Sequence, residues 1–434
     1  MFSGAAETRE IDEVLSTYRA PAILLHRPYP PSKAPALRSR LGGLPTLPAK
    51  VAWPRGRNSR GRDVPLHFLA QIDCAELPRI DSRLPAKGML FFFGRDDEEQ
   101  IWEGGDPRDH SCVIYAPNVP KGQPPCPAPS DLPPIKDRLA SDGPDWLLPN
   151  EPGYAVHYSW PVVALPFDTW PDASALDRGD DPRYDRRVEA LRASAFMAAT
   201  GLPSHSQYIP DWDEHFWMPL DRGNTRFPQV GIMVDRVSRL VSHEVLKNSD
   251  VLPKQKERIL AKAHRWMKRA AEIGLEAAPS DNEVDEFQGW LHELASERFP
   301  PSHLRQAMPG ILTKALLSSI TYAAGAPKAA AQIPPFYYNV MENYHLPTAQ
   351  SRHAANVACN DWKLKTRVHQ MLGHAPASQE AVSIESSDVC LLNLSWDKQI
   401  EFEFGDVGEA TFWIRSDDLA AMQFDRAWAS VQGH

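Results

Sequence analysis

The sequence predicts an α+β fold: two similar β-rich half-units, one at each end of the chain, packed together and interrupted by a helical insertion. Three observations predict it. Short apolar runs punctuated by Pro and Gly fill residues 1–175 and return in 356–434. Between them, residues 176–355 carry apolar side chains at helical spacing. A short Leu-Gly word also occurs once in each β-rich part.

In chain order, residues 8–18 read as a helix and 22–26 as a strand. A turn-rich stretch follows with Leu41-Gly42-Gly43-Leu44-Pro45 and Trp53-Pro54. Residues 66–73 form a largely apolar strand. The next, 88–94, holds Phe91, Phe92 and Phe93 in succession, which requires burial on both faces. Strands are expected at 111–116 and 154–164. The eight prolines between 117 and 134 exclude regular structure from that segment.

The helical part opens at Asp181-Pro182, a cap followed by proline at the first helical position, and Gly201 stops it. Residues 254–273 place Ile259, Leu260, Ala263, Trp266, Met267, Ala270 and Ile273 on one stripe. Ser280 and Glu283 form a capping box for the next helix. Further helices are expected at 303–324 and 361–372. Strands resume at 389–394, 409–415 and 424–431.

Composition bounds the function. Hydrophobic residues at 42% and charged residues at 24% suit a chain with a substantial core. A net charge of −9 argues against a nucleic-acid or membrane-surface role for the molecule as a whole. No apolar run reaches the ~18 residues of a membrane span. The start of the chain lacks the pattern of a secretory leader, and five scattered cysteines without a Cys-x-x-Cys pair suit reduced thiols. The expected compartment is cytoplasmic.

The search for chemistry returns little. No nucleophile elbow or dinucleotide fingerprint is present. Gly56 to Arg62 has phosphate-loop glycine spacing without the Lys and Ser/Thr, and reads as an exposed loop. His243-Glu244 and His292-Glu293 lack the second histidine of a zinc helix, so neither a metal nor a cofactor is expected. Seven basic residues lie between Lys254 and Arg269, and seven acids follow between Glu276 and Glu297. Opposite charge on consecutive helices is read as an antiparallel hairpin in preference to a nucleic-acid surface.

Leu41-Gly42-x-x-Pro45 recurs as Leu372-Gly373-x-x-Pro376, and each copy precedes an apolar strand and then a Gly-led aromatic strand, starting at Gly88 and Gly408. These words, with Trp53-Pro54, Phe68-Leu69-Ala70-Gln71-Ile72, His369 to Gln379 and Phe404-Gly405-Asp406-Val407-Gly408, resemble the YwqG-like family of uncharacterised bacterial proteins. Two features depart from its pattern: His374 follows Gly373 where a second glycine is usual, and Asn393 stands in place of glutamine. The resemblance implies an α+β fold of two halves. It implies no established reaction, and its functional hint is an immunity-type role opposite a bacterial toxin.

The expectation is a non-catalytic binding or interaction protein with a toxin-like protein partner and no catalytic residues of its own. Its candidate ligand contacts are Gln71, Gln379, Asp406, Trp53, Trp413 and His374. A glutamine inside an apolar strand must find partners, so Gln71 is read first as a structural tie. Gly405 to Gly408 reads first as a hairpin turn, and the three tryptophans Trp53, Trp396 and Trp413 serve a core as well as a groove. The alternatives are a hydrolase using Asp406 with His369 or His374, and a nucleic-acid binder through the helix at 254–269.

Overall fold

The computed structural model describes residues 3–28, 37–97, 106–135, 155–176, 181–201, 230–247, 251–274, 280–295, 306–308, 369–376, 386–397, 402–405 and 408–433, with single positions between some of these stretches. The expected helices at 303–324 and 361–368 lie largely outside them.

Helix α1 (Ser3–Thr17) leads into β1 (Ala20–His26) and the short β2 (Arg40–Leu41). A hairpin of β3 (Arg55–Arg57) and β4 (Asp63–Pro65) precedes the meander β5 (His67–Asp73), β6 (Met89–Gly94) and β7 (Ser111–Ala116). Strands β8 (Trp160–Pro161) and β9 (Val163–Thr169) complete the first part. Helices α2 (Pro182–Thr200), α3 (Val230–Lys247), α4 (Pro253–Ile273) and α5 (Asp281–Ala295) follow. The chain ends with β10 (Gln370–Leu372), β11 (Asp388–Ser395), β12 (Glu409–Arg415), α6 (Ser416–Ala420) and β13 (Trp428–Gln432). Residues 370–372, expected to close a helix, are instead strand β10. Three residues are too few for any periodicity to separate the two states.

The two ends of the chain meet inside one sheet. Antiparallel pairing of β1 with β10 sets Ala22 opposite Leu372 and Leu24 opposite Gln370. The larger sheet runs β13-β12-β11-β10-β1-β9, and the smaller runs β7-β6-β5-β2-β8. The two orders match strand for strand, β7 to β13, β6 to β12, β5 to β11, β2 to β10 and β8 to β1. Each half is therefore a meander extended by one short strand and then by a strand from elsewhere in the chain, to which the larger sheet adds β9 at its edge.

Three features fix the residue-level register between the halves. Strand β5 carries a bulge between Phe68 and Ala70, and β11 carries one between Cys390 and Leu392. After each bulge the next residue pairs with an aromatic, Ala70 with Phe92 and Leu392 with Phe412. Those two rings meet edge to face, centroids 5.3 Å apart. Left-handed backbone at Gly42 and Gly43 (φ 60° and 73°) recurs at Leu372 and Gly373 (62° and 64°). Gly42 thus corresponds to Leu372 and Gly43 to Gly373, a shift of one from the alignment of identical letters. Leu372 is therefore a side chain held in backbone that the other half gives to Gly42. At the strand starts, a Cβ on Gly88 would fall 2.7 Å from Ala116 O and one on Gly408 2.0 Å from Gln432 O, so both positions need glycine for the same reason.

The sheets share an inner core of Leu69, Ala70, Ile72, Leu90 and Phe92 from one half and Leu391, Leu392, Leu394, Phe412 and Ile414 from the other. The same buried cluster continues into Val237, Val241, Ile259, Trp266 and Phe287 of the helices. Helix α2 covers Ala22 and Leu24 with Phe196; Asp181 caps its start and Gly201 its end. The capping box at α5 forms, with Ser280 N–H donating to Glu283 Oε2 at 2.9 Å. Arg258, Arg265 and Arg269 of α4 pair with Glu293, Glu286 and Glu283 of α5. Rising numbers against falling ones make the helices antiparallel, and Trp266 packs on Phe287 between them. Among the described residues no helix is long and apolar enough to cross a membrane.

Candidate functional site

Because the halves correspond residue by residue, their outer faces can be compared directly. On the smaller sheet, Leu66, Phe68, Met89, Phe91 and Phe93 form a second buried cluster. Trp53 packs edge-on to Phe93 at 5.5 Å and donates its indole N–H to Leu66 O at 2.7 Å. The proline-rich segment closes over the rest: Val119 joins the cluster, Cys126 N–H reaches Pro45 O, and Gln123 reaches Leu47 O. This face is apolar and sealed.

The corresponding positions of the larger sheet are Asp388, Cys390, Glu409, Thr411 and Trp413, in the same order. On the last strand Cys112, Ile114 and Ala116 become Trp428, Ser430 and Gln432. Polar groups replace apolar ones, and the face opens into a cleft of about 300 Å³. Asp388, Thr411, Trp413 and Gln432 contribute from the sheet, Gly373 and His374 from the turn after β10, and Asp81 and Arg83 from the other half. Burying carboxylate and hydroxyl groups where the repeat uses Leu and Phe is unfavourable unless something pairs with them.

The polar wall is ordered. Thr411 Oγ1 donates to Asn393 Oδ1 at 2.7 Å, and Asn393 Nδ2 donates to Ser395 Oγ at 3.2 Å. Trp413 Nε1–H donates to Ser430 Oγ at 3.1 Å. Gln370 ties the turn by donating to the carbonyls of Leu372 and His374, both at 3.0 Å. Its counterpart Arg40 donates to Leu44 O in the other half. His374 accepts nothing at Nε2, which donates to Tyr18 O at 2.8 Å; burial lowers its pKa, so the ring is neutral. Arg83 forks onto Asp81 and reaches Ser416 Oγ at 2.8 Å. Asp388 Oδ1 is shut from solvent and has no hydrogen-bond partner among the described residues. Leaving such an acceptor unmet costs roughly 1–3 kcal/mol.

Of the residues proposed from sequence, His374 and Trp413 come together in this cleft. Trp53 belongs to the sealed face of the other half. Gln71 is buried there too, accepting from Thr46 N at 3.0 Å and donating to Arg38 O at 2.7 Å, which makes it a tie between strand and turn. Gln379 and Asp406 lie outside the described residues. Sequence reading missed Asp388, Thr411 and Gln432. Their signal, polar residues at strand positions where the repeat is apolar, exists only after the halves are placed in register.

A second polar cluster is enclosed and joins the halves. Arg27 and Asp397, both fully buried, form an ion pair, and His369 Nε2 donates to Asp397 Oδ2 at 3.0 Å. His369 Nδ1 accepts from Ser395 N at 3.2 Å, as Ser39 Oγ accepts from Asp73 N in the other half. Desolvation lowers the pKa of His369 and keeps it neutral despite the carboxylate. Phe402 separates this group from His157, which pairs with Asp96 at 3.0 Å. Enclosure suits a lock between the halves, since an incoming ligand has no route to these atoms short of local opening.

Fold and site together define a two-half α+β protein with one outer face sealed and the other open. The chain belongs to the family described as Domain of unknown function (DUF1963), whose model matches residues 39–197 and 281–432, more than half of its length. The matched stretches contain both meanders and most of the cleft, and they leave α3 and α4 between them. No curated protein matches the chain significantly.

Proposed function

We propose that this protein is a non-catalytic binding protein whose ligand occupies the cleft on the larger sheet, and that it is a YwqG-like member of its family. The observation that carries the reading is the contrast between the two outer faces: one repeat plugs the surface with Leu66, Phe91, Phe93 and Trp53, and the other lines it with Asp388, Thr411 and Trp413. Evolution of a mere scaffold would have no use for a hollow here, because sealing it with apolar side chains is the more stable solution. The immunity-type role that the resemblance implies places a partner protein's side chain among the occupants to test.

The testing experiment converts the open face to the sealed one. Thr411→Phe and Asp388→Leu install the residues found at the matching positions of the other half. A small-molecule thermal-shift screen and a pull-down from the native host, run on wild type and on the double variant, should give ligands or a stoichiometric partner for wild type alone. Equal results for a folded double variant would place the binding elsewhere and end this reading. A catalytic turnover abolished by the same substitutions would replace it with an enzymatic one.

A further inference from the structure

We infer that the cleft is built for an organic cation, a guanidinium or ammonium group anchored on the Asp388 carboxylate beside Trp413; this deepens the binding reading above and rests on it.

Charge accounting around the lining leads there. Asp81 is neutralised by the Arg83 fork, and Asp172 by Arg192 at 3.0 Å. His374 is neutral, its Nε2–H committed to Tyr18 O. That leaves Asp388, which lines the cleft and makes no ion pair among the described residues. Its own backbone N–H is held by Ser386 Oγ at 3.1 Å, so the residue is positioned rather than loose. Arg415, its cross-strand neighbour, is exposed and makes no ion pair with it. Among the described residues the lining therefore carries one uncompensated negative charge, set where the repeat holds Leu66.

Shape and surface agree with charge. Trp413 has given its N–H to Ser430, so what it offers a ligand is apolar π surface. Cations are attracted to such rings electrostatically, and guanidinium planes also stack on them. An anion would meet a carboxylate that no cation among the described residues neutralises, and a neutral ligand would leave that charge uncompensated. About 300 Å³ fits a group the size of one long side chain. Such a cation can come from a free metabolite or from an Arg or Lys projected by a protein partner.

Isothermal titration calorimetry separates these cases. The probes are N-acetyl-argininamide, N-acetyl-lysinamide and the neutral isostere N-acetyl-citrullinamide, titrated into wild type, Asp388→Asn and Trp413→Phe, each checked for fold by circular dichroism. The expected result is binding of at least one cation, tenfold or more tighter than the citrulline compound, with that preference lost in Asp388→Asn and affinity weakened in Trp413→Phe. A glycine-flanked arginine peptide distinguishes the sources: tenfold tighter binding than the capped amino acid marks a partner's side chain, and equal binding marks a free ligand. Equal affinity for the citrulline compound, unchanged affinity in Asp388→Asn, or no heat from either cation at millimolar concentration overturns the inference. If the screen described above still finds ligands in the cleft, the binding reading survives that failure; if it finds none, both fall.

Discussion

Leu372 provides the sharpest test of the register that relates the two halves. It sits at φ 62°, matching Gly42 at 60°, and only 3% of its surface is exposed. Two substitutions separate its side-chain burial from its backbone strain. Leu372→Ala removes the buried side chain, which costs ~2–5 kcal/mol in a core, and keeps a Cβ in left-handed backbone. Leu372→Gly removes the same contacts and also the Cβ, relieving about 1–2 kcal/mol of strain. In an ordinary strand the order is reversed, with Gly less stable than Ala by roughly 0.5–1 kcal/mol. Equilibrium urea titration of the two variants, compared with each other so that shared changes cancel, should show Gly the more stable by about 1 kcal/mol. Wild type should exceed both. If Ala equals or exceeds Gly, the left-handed turn is absent and the matching of Leu372 to Gly42 fails with it.

Other consequences follow from the buried charges and the helical hairpin. Burial, reinforced by Arg27, lowers the pKa of His26 from 6.5 to about 4. Between those values the unfolded chain holds the proton and the folded one does not. Stability should therefore fall as pH drops from 6.5 toward 4, by about 3 kcal/mol for this group, and chemical denaturation at several pH values should show a shallower fall in His26→Gln. Asp397→Ala strands Arg27 and His369 inside the lock and should cost about 3–5 kcal/mol, whereas Arg27→Met combined with Asp397→Leu should restore most of it; thermal unfolding of the three proteins decides. In the hairpin, a double-mutant cycle on Arg265 and Glu286 should give a coupling of only ~0.2–1 kcal/mol, while Trp266→Ala should cost about 3–5 kcal/mol.

Much of the fold was legible because its signals are local. The Phe91 to Phe93 run announced burial on both faces, and all three rings are buried, with Phe92 facing the inner core and its neighbours the outer cluster. Ser280 and Glu283 declared their helix start, and the charge pattern of residues 254–297 declared the hairpin. Helix α3 carries the same kind of local signal in Val234, Val237, Val241 and Val245, all buried. The pairing of β1 with β10 was anticipated only in outline, since their partnership depends on contacts nearly 350 residues apart in the chain. The repeat was visible through its Leu-Gly words, but matching letters gave the wrong register. Backbone conformation is what is shared, and in one copy a leucine adopts it. That single shift conceals the cleft: Asp388 and Thr411 look like ordinary strand punctuation until Leu66 and Phe91 stand beside them.

The most direct measurement uses fluorine NMR of protein labelled with 5-fluorotryptophan, with the Trp413 and Trp53 resonances assigned by Trp413→Phe and Trp53→Phe. On addition of a ligand found by screening, the Trp413 signal should shift or broaden in proportion to occupancy while the Trp53 signal stays fixed, because Trp413 lines the cleft whereas Trp53 packs edge-on to Phe93 on the apolar face of the other half. Movement of Trp53 with Trp413 unchanged would contradict the account.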